Sequence, residues 1–273
     1  MRSPSTVARR HAHMVDDPRR TKPLLAAVAK AVKRGDFVLD IGTGLGVLAI
    51  AAAKAGASRV LAIDCDAEAL AMAVRAAKKA GFGDLIEFRK ALSFDLKLRG
   101  KADVVLCETV GSFAFDENIL ATLSDAKQRL MKSGGRMMPR RLELWGAPLL
   151  RLPEVEMPSE TALVKPADLV AKPVRIATAD FAAFIPRRVQ AKPQFVCARE
   201  ATIKALAVWP RVTWFAGETT DASPLAPPTH WKQGIMPIEE RRVAEGERIS
   251  LEILIGPHPD DPKRMTERLW RWI

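Results

Sequence analysis

The segment Phe37–Gly46, FVLDIGTGLG, carries the most information about the fold of this chain. Its first five residues are apolar except for Asp40, which is typical of a buried strand, and three glycines follow at alternate positions. The Ala-rich segment Val47–Ala55 then continues as a predicted helix. Glycines between a strand and a helix let the backbone turn tightly and approach a ligand, so we expect a ligand site at this helix N-terminus.

Strand-like and helix-like segments alternate from about residue 23 to residue 140. Strands are predicted at Phe37–Ile41, Arg59–Ile63, Leu85–Phe88, Asp103–Leu106 and Gly135–Pro139, and helices at Val47–Ala55, Ala67–Ala80 and Asn118–Met131. Such alternation predicts a parallel sheet with helices on both faces. We therefore expect an α/β chain with a Rossmann-like domain over residues 23–140, preceded by a separate segment at 1–22.

Beyond Pro139 prolines become frequent and helical periodicity fades. Short β-like runs occur at Leu142–Trp145, Ala205–Trp209, Val212–Phe215 and Ile249–Ile255. This pattern predicts a mostly antiparallel second domain, a β-barrel, over residues 141–273. Residues 150–201 show no clear pattern.

The composition favours a cytoplasmic protein without a structural metal. The net charge of +11, from 43 basic and 32 acidic residues, is scattered along predicted helices, which favours solvated faces over a nucleic-acid surface. We find no signal-peptide pattern and no apolar run of membrane-spanning length. The cysteines have no metal-ligand spacing; they are Cys65, Cys107 and Cys197.

Carboxylates around the glycine-rich turn indicate which ligand it binds. A dinucleotide fingerprint needs a glycine at position 47, where the chain has Val47. Asp40 would repel a pyrophosphate but suits a ligand with an ammonium group, and Asp64, after the second strand, can accept both hydroxyls of a ribose. S-adenosylmethionine (SAM) has both groups and lacks phosphate. It is the predicted cofactor, with a nucleotide site or a purely structural turn as alternatives. The predicted glycine contacts are Gly42, Gly44 and Gly46.

Two glutamates bracket the loop that follows the strand Asp103–Leu106. Glu108 opens this loop and Glu117 closes it, in the sequence ETVGSFAFDE. Ligands bind at the carboxyl ends of such strands, and a pair of carboxylates matches the donor fork of a guanidinium. The alternative for Glu117 is helix capping, because Asp116 and Glu117 precede a segment with helical apolar periodicity.

In these two loops the chain resembles the protein arginine N-methyltransferases, a family of class I SAM-dependent methyltransferases. Val38–Ala57 resembles the family's first motif and the helix that follows it, and Glu108–Glu117 resembles its double-glutamate loop. Pro228–Gln233, PTHWKQ, resembles its threonine–histidine–tryptophan loop. Residues at the spacing of the family's cofactor-covering helix are His11, Met14, Asp17, Arg20 and Thr21. The resemblance extends over residues 11–255 and implies a short, divergent, bacterial-type member.

The resemblance implies roles for the matched residues. Glu108 and Glu117 would hold the acceptor guanidinium, and Asp17 with His230 would form a proton relay. With the residues inferred from the glycine turn, the predicted cofactor-binding set is His11, Met14, Arg20, Asp40, Gly42, Gly44, Gly46, Asp64 and Ser93. Simpler readings remain open: Asp17 before a proline is also a common helix start, and a methionine such as Met14 is often core.

The chain departs from the family in several places. It has no tyrosine, whereas the family's N-terminal segment carries two. The segment around 150–166, which corresponds to the family's dimerisation arm, is shortened, and the sequence assigns no oligomeric state. Pro18 and Pro23 are expected to interrupt the N-terminal helix.

The expected function is therefore SAM-dependent methyl transfer to a guanidino nitrogen, with arginine of a protein or peptide as the acceptor. One alternative is a methyltransferase for a small molecule or a ribosomal protein on the same scaffold. An alternative of another class is a non-catalytic scaffold or nucleic-acid-binding protein that uses the basic first half.

Overall fold

In the computed structural model, which describes residues 14–157, 160–263 and 265–273, the first half of the chain forms one parallel sheet. Its strands are β1 (Phe37–Ile41), β2 (Arg59–Asp64), β3 (Ile86–Lys90), β4 (Ala102–Cys107) and β5 (Met131–Met138). They lie in the order β3-β2-β1-β4-β5. The direction of progression reverses between β1 and β4, and α/β sheets bind ligands in the crevice outside such a point.

Helices cover this sheet. They are α1 (Pro18–Ala31), α2 (Val47–Lys54), α3 (Ala67–Lys79) and α4 (Ile119–Arg129). Because both faces are covered, β1 and β4 are buried at nearly every position instead of alternating. The side chain of Asp66 starts α3 by accepting hydrogen bonds from the backbone N–H groups of Glu68 and Ala69. The predicted parallel-sheet domain is confirmed.

Helix α1 starts at a proline and continues through another one. Asp17 caps it by accepting from two backbone N–H groups, and Pro18 occupies the first position, where a missing N–H costs nothing. The prediction that Pro23 interrupts the helix is wrong. Burial of one apolar face outweighs the hydrogen bond lost there; this face consists of Leu24, Ala27, Val28 and Ala31. The helix consequently crosses the division expected at residue 22.

The second half of the chain is antiparallel, as predicted. Its longer strands are β6 (Arg141–Leu149), β8 (Val174–Asp180), β11 (Ala201–Thr213), β13 (Gln233–Val243), β14 (Arg248–Pro257) and β15 (Thr266–Trp272). Its shorter strands are β7 (Thr161–Ala162), β9 (Val189–Ala191), β10 (Gln194–Val196) and β12 (Thr219–Asp221). Among the described residues they form two sheets, β7-β13-β11-β6-β8 with β12 beside β11, and β10-β14-β15 with β9 beside β14.

Strand β11 is one continuous strand, although the sequence predicted two separate runs, Ala205–Trp209 and Val212–Phe215. On one side, β11 pairs with β13 as far as Val208 and with β12 from Arg211 onward. Pro210 lies in the gap between these two partners, where its missing N–H removes no ladder bond on that side.

The two halves pack closely. Strand β5 ends at Met138 and β6 begins at Arg141, while the division of the chain into domains near residue 140 stays a prediction. Buried apolar side chains from both halves form one contiguous core. None of the described helices is long and apolar enough to cross a membrane.

Candidate active site

A cavity of about 1070 Å³ opens at the carboxyl ends of the central parallel strands. The glycine-rich turn forms part of its wall, with positive φ angles of 71° at Gly42, 52° at Gly44 and 79° at Gly46. These conformations are strained for residues with a Cβ atom. The Gly44 N–H donates to Oδ2 of Asp64 at 2.8 Å, so the turn and this carboxylate hold each other in place.

Eight of the predicted site residues line this cavity. They are Met14, Arg20, Gly42, Gly44, Asp64, Ser93, Glu108 and Glu117. They come from the N-terminal segment, α1, the ends of β1, β2 and β4, and the loops after β3 and β4. The structure therefore brings the cofactor-type residues and the two glutamates to one place.

Asp40 and Gly46 lie behind the cavity wall. Asp40 is completely buried and accepts a hydrogen bond from Oγ1 of Thr43 at 2.6 Å. Burial raises the pKa of Asp40 to about 7, and the nearby negative charge of Asp64 contributes. Gly46 precedes α2 as its N-cap. Both residues shape the turn from within, and a direct contact with a ligand stays a prediction for them.

Glu108 directly follows β4 and forms an ion pair through Oε2 with Nη2 of Arg20. Only 10% of the Glu108 side chain and 8% of the Arg20 side chain are exposed. Burial raises the pKa of Glu108, and the positive charge of Arg20 opposes this shift. Arg20 also donates from Nη1 to the backbone oxygen of Met14 at 3.2 Å, which draws the N-terminal segment over the cavity.

Glu117 is exposed and lies at the opposite end of the same loop. Asn118, in the left-handed conformation with a φ of 57°, occupies the N-cap position of α4. No side-chain hydrogen bond caps this helix. Glu117, directly before this N-cap, lines the cavity, and helix capping stays an alternative role for it.

The threonine–histidine–tryptophan loop supports the glutamate loop. Nε1 of Trp231 donates to the backbone oxygen of Val110 at 2.6 Å, and Oγ of Ser112 donates to the backbone oxygen of Trp231 at 2.7 Å. Trp231 is buried and stacks on Trp214 with 6.4 Å between ring centroids. The antiparallel half thus fixes the middle of the loop that carries Glu108 and Glu117.

Asp17 and His230 meet across the two halves of the chain. Oδ2 of Asp17 accepts from the backbone N–H of His230 at 2.8 Å and lies 3.1 Å from its Nδ1. Burial lowers the pKa of His230 to about 4, and the positive charge of Arg20 contributes. His230 is therefore neutral near neutral pH. Neither residue lines the cavity, and the relay role stays a prediction. His11 lies outside the described residues.

Several residues of the cavity wall were not predicted from the sequence. Among them are Lys90, Thr109, Asn118, Thr122 and Lys263. Lys263 comes from the turn between β14 and β15 and lies 3.4 Å from Oδ1 of Asp95, which also lines the cavity. No local pattern marks a lysine so far along the chain, whereas Asn118 has a detectable signal because asparagine before an apolar-periodic segment is a common N-cap.

Two family models match the chain. Residues 19–139 match ribosomal protein L11 methyltransferase (PrmA), and residues 150–270 match the arginine methyltransferase oligomerization subdomain. Protein arginine N-methyltransferase 6 of Danio rerio is 26% identical over 95% of this chain and 85% of its own length. The arginine N(omega)-methyltransferase of Streptomyces achromogenes subsp. streptozoticus is 28% identical over 90% of this chain and 76% of its own length.

Solved structures agree on the fold. The Trypanosoma brucei PRMT1 enzyme–prozyme complex with AdoHcy superposes with a TM-score of 0.80, at 20% identity, covering 96% of this chain and 97% of the other. Arabidopsis thaliana protein arginine methyltransferase 10 also superposes with a TM-score of 0.80, at 18% identity and the same coverage. Along nearly its whole length the chain is similar to protein arginine N-methyltransferases.

By this similarity the protein is a SAM-dependent methyltransferase. The cavity suits such a cofactor. A Cβ atom at Gly42 would lie only 2.7 Å from Thr109, so a larger residue at this position would fill the space beside the turn. The N–H of Gly44 holds the carboxylate of Asp64 in place. Carboxylates outnumber basic side chains in the wall, with Asp64, Asp66, Asp95, Glu108 and Glu117 against Arg20, Lys90 and Lys263. This excess favours a ligand that carries positive charge.

Replacing His230 by Asn is expected to make unfolding less sensitive to acid. The folded pKa of about 4 lies below the ordinary value of 6.5, so the unfolded chain binds more protons between these limits. The contribution of His230 to the free energy of unfolding is fully present above pH 6.5. Below that pH it decreases, by at most about 1.4 kcal/mol per pH unit. Asp40, with its raised pKa, contributes the opposite slope. The quantity to measure is therefore the wild-type minus variant difference, from urea unfolding across this range.

The control for this experiment is His258→Asn, a histidine in the turn after β14. A change of slope that this variant shares with His230→Asn is not due to the burial of His230. A difference between the wild type and the His230→Asn variant that stays constant with pH would contradict the buried, neutral state of His230.

Proposed function

We propose that this protein transfers a methyl group from SAM to a guanidino nitrogen of arginine in a protein or peptide. One observation carries the proposal: Glu108 and Glu117, from opposite ends of one loop, line the same cavity as the glycine-rich turn and Asp64. A methyl donor and a planar cation can therefore be bound side by side.

The cofactor would be held by residues of the cavity wall. Asp64 would accept hydrogen bonds from the ribose hydroxyls, Arg20 would pair with the carboxylate, and Ser93 would lie near the adenine. When bound, SAM supplies a methyl group on a sulfonium that is open to attack by a nucleophile. Met14 and Arg20 come from the N-terminal side of the cavity and help to exclude water from it.

The two glutamates would prepare the acceptor. A guanidinium is a weak nucleophile because its lone pairs are delocalised. Carboxylates on two of its nitrogens draw the positive charge toward them, orient the group and leave the third nitrogen facing the donor. Their negative charge would also stabilise the cation while the N–CH3 bond forms and the S–CH3 bond breaks. S-adenosylhomocysteine would be the leaving group, and the methylated nitrogen would lose one proton to solvent. The ion pair between Glu108 and Arg20 supports this role, since Glu108 binds a guanidinium within the protein itself.

Arginine as a small molecule is the second candidate acceptor. The Streptomyces relative is named for arginine itself, and it is as similar to this chain as the protein methyltransferases are. The chain also lacks the N-terminal tyrosines that would wall the acceptor channel of the family. A wider or differently shaped mouth would change which acceptor binds without changing the clamp.

Methyl transfer from labelled SAM tests the proposal directly. The acceptors are an arginine-rich peptide, its lysine-substituted counterpart and free arginine, each with the wild type and with Glu117→Gln. Label in the arginine peptide, lost in the variant and absent from the lysine peptide, is the expected result. Label in free arginine alone would replace the peptide proposal with the small-molecule one. Binding of SAM without transfer to any of the three acceptors would refute both.

A further inference from the structure

Strand β15, at the far end of the chain, contacts the glutamate loop at two points. Residues two apart on a strand point to the same side, and the two contacting residues are Thr266 and Arg268. Oγ1 of Thr266 accepts a hydrogen bond from the backbone N–H of Asn118 at 3.1 Å. The Asn118 side chain donates to the backbone oxygen of Pro262 at 3.1 Å, just before β15. The residue directly after Glu117 is thereby fixed in its left-handed conformation.

Arg268 contacts the other side of the loop. Its guanidinium lies 4.0 Å from the centroid of the fully buried Phe113 ring, a cation–π contact. Its Nη2 also donates to Oε2 of Glu160 at 2.7 Å. Glu160 is joined to β13 through its backbone, because its carbonyl accepts from the N–H of Ile235 at 2.9 Å. Arg268 is therefore held firmly and serves as a rigid support for the loop.

Asp116, directly before Glu117, turns its carboxylate into the loop. A Cβ atom at Gly111 would lie 2.0 Å from Oδ1 of Asp116, so the carboxylate occupies the space that this glycine leaves. Burial raises the pKa of Asp116, and the positive charge of Arg268 is the largest influence that opposes it. Without Arg268, the loop would contain a buried acid with little compensation for its charge.

We propose that β15 positions the Glu117 carboxylate, with Arg268 and Thr266 as positioning residues. Asp116 faces inward and is balanced by Arg268, while Asn118 is fixed by Thr266. Glu117, between them, is left pointing toward the cavity. The antiparallel half thus contributes to the clamp as well as to the support of the loop by Trp231. The inference rests on the proposed function for what Glu117 does.

The test compares Arg268→Met and Thr266→Val with Arg271→Met. Arg271 lies on the same strand, is 76% exposed and pairs with Glu252, so it is a matched control. For each variant, kcat, acceptor KM, cofactor affinity and amide hydrogen exchange of the segment 111–118 are measured. We expect kcat to fall by about 10–100-fold in both β15 variants, because small displacements of positioned groups have effects of this size. Cofactor affinity should stay unchanged and exchange in 111–118 should become faster.

A second variant separates positioning from general damage. In the Arg268→Met background, Asp116→Asn removes the uncompensated charge, and we expect it to restore much of the lost kcat. If Arg268→Met does not fold, Thr266→Val tests the same role at the other contact. Wild-type kcat and exchange in both single variants would overturn the proposal. Should the wild type methylate no guanidino acceptor, the proposed function fails, and exchange alone decides the inference: faster exchange supports it and unchanged exchange overturns it.

Discussion

Glu117→Gln is expected to lower kcat by about 10²–10³-fold, the range seen when one preorganised charge-stabilising group is removed. The amide keeps the size of the side chain but loses the negative charge that the acceptor cation requires. Glu117 is exposed, so folding stability should stay close to that of the wild type. Steady-state methyl transfer and thermal unfolding, measured on the same samples, give both quantities.

Glu108→Gln is expected to lose activity to a similar degree and stability as well. Its partner Arg20 is at least as buried, so the neutral amide leaves a guanidinium without a counter-charge. Breaking such a pair costs about 3 kcal/mol, the lower part of the usual range, because both residues line an open cavity. In the double variant Glu108→Gln/Arg20→Gln we expect recovery of stability but not of turnover.

The two glutamate variants are expected to lose similar activity but to differ in stability, and this difference is the most direct test of their roles. Glu68→Gln, in the exposed first turn of α3, is the matched control and should change neither quantity. Full turnover in either clamp variant, with cofactor bound, would contradict the clamp. Equal loss of stability in Glu117→Gln and Glu108→Gln would contradict the larger contribution to stability that we assign to the buried Glu108–Arg20 ion pair.

Much of the parallel half was predictable because its signals are local. The strand Phe37–Ile41 was predicted with its observed bounds, since a strand buried on both faces is apolar at nearly every position, here all but Asp40, and glycines mark its end. The helix predicted at Ala67–Ala80 ends one residue earlier, at Lys79. The antiparallel half was harder to predict. Pro210 is tolerated within β11 because of where its partner strands end, and a short stretch of sequence does not contain that information.

The candidate site shows the same limit. Glu108 and Glu117 were found because the loop follows a strand end, where ligand residues gather in such sheets. The pairing of Asp17 with His230 is observed, but it required the resemblance, since these residues are far apart in sequence. Arg268 was not found at all. It contacts Phe113 and Glu160, which are both more than 100 residues away in sequence, so the residues around Arg268 do not indicate either contact.

The cofactor turn and the glutamate loop are in contact, so a change in one should disturb the other. A Cβ atom at Gly42 would lie 2.7 Å from Cγ2 of Thr109, the residue after Glu108. Thr109 cannot turn away freely, because its Oγ1 lies 3.3 Å from Sγ of Cys107 in a hydrogen bond. In Gly42→Ala we therefore expect weaker cofactor binding and a loss of about 100-fold in kcat, since Glu108 is displaced with its neighbour.

Two further variants separate the contact from the backbone strain. Gly81→Ala places a side chain at a φ of 81° with nothing within 4 Å, so it shows the cost of a left-handed alanine alone, about 1–2 kcal/mol of stability. Thr109→Ser removes the methyl group that Gly42→Ala would meet but keeps the hydroxyl. The double variant Gly42→Ala/Thr109→Ser should recover kcat and cofactor affinity, measured by titration calorimetry, while keeping the strain cost. Recovery follows only if the two loops are coupled through this contact. If the double variant loses as much kcat and cofactor affinity as Gly42→Ala does, the turn acts on the cofactor alone.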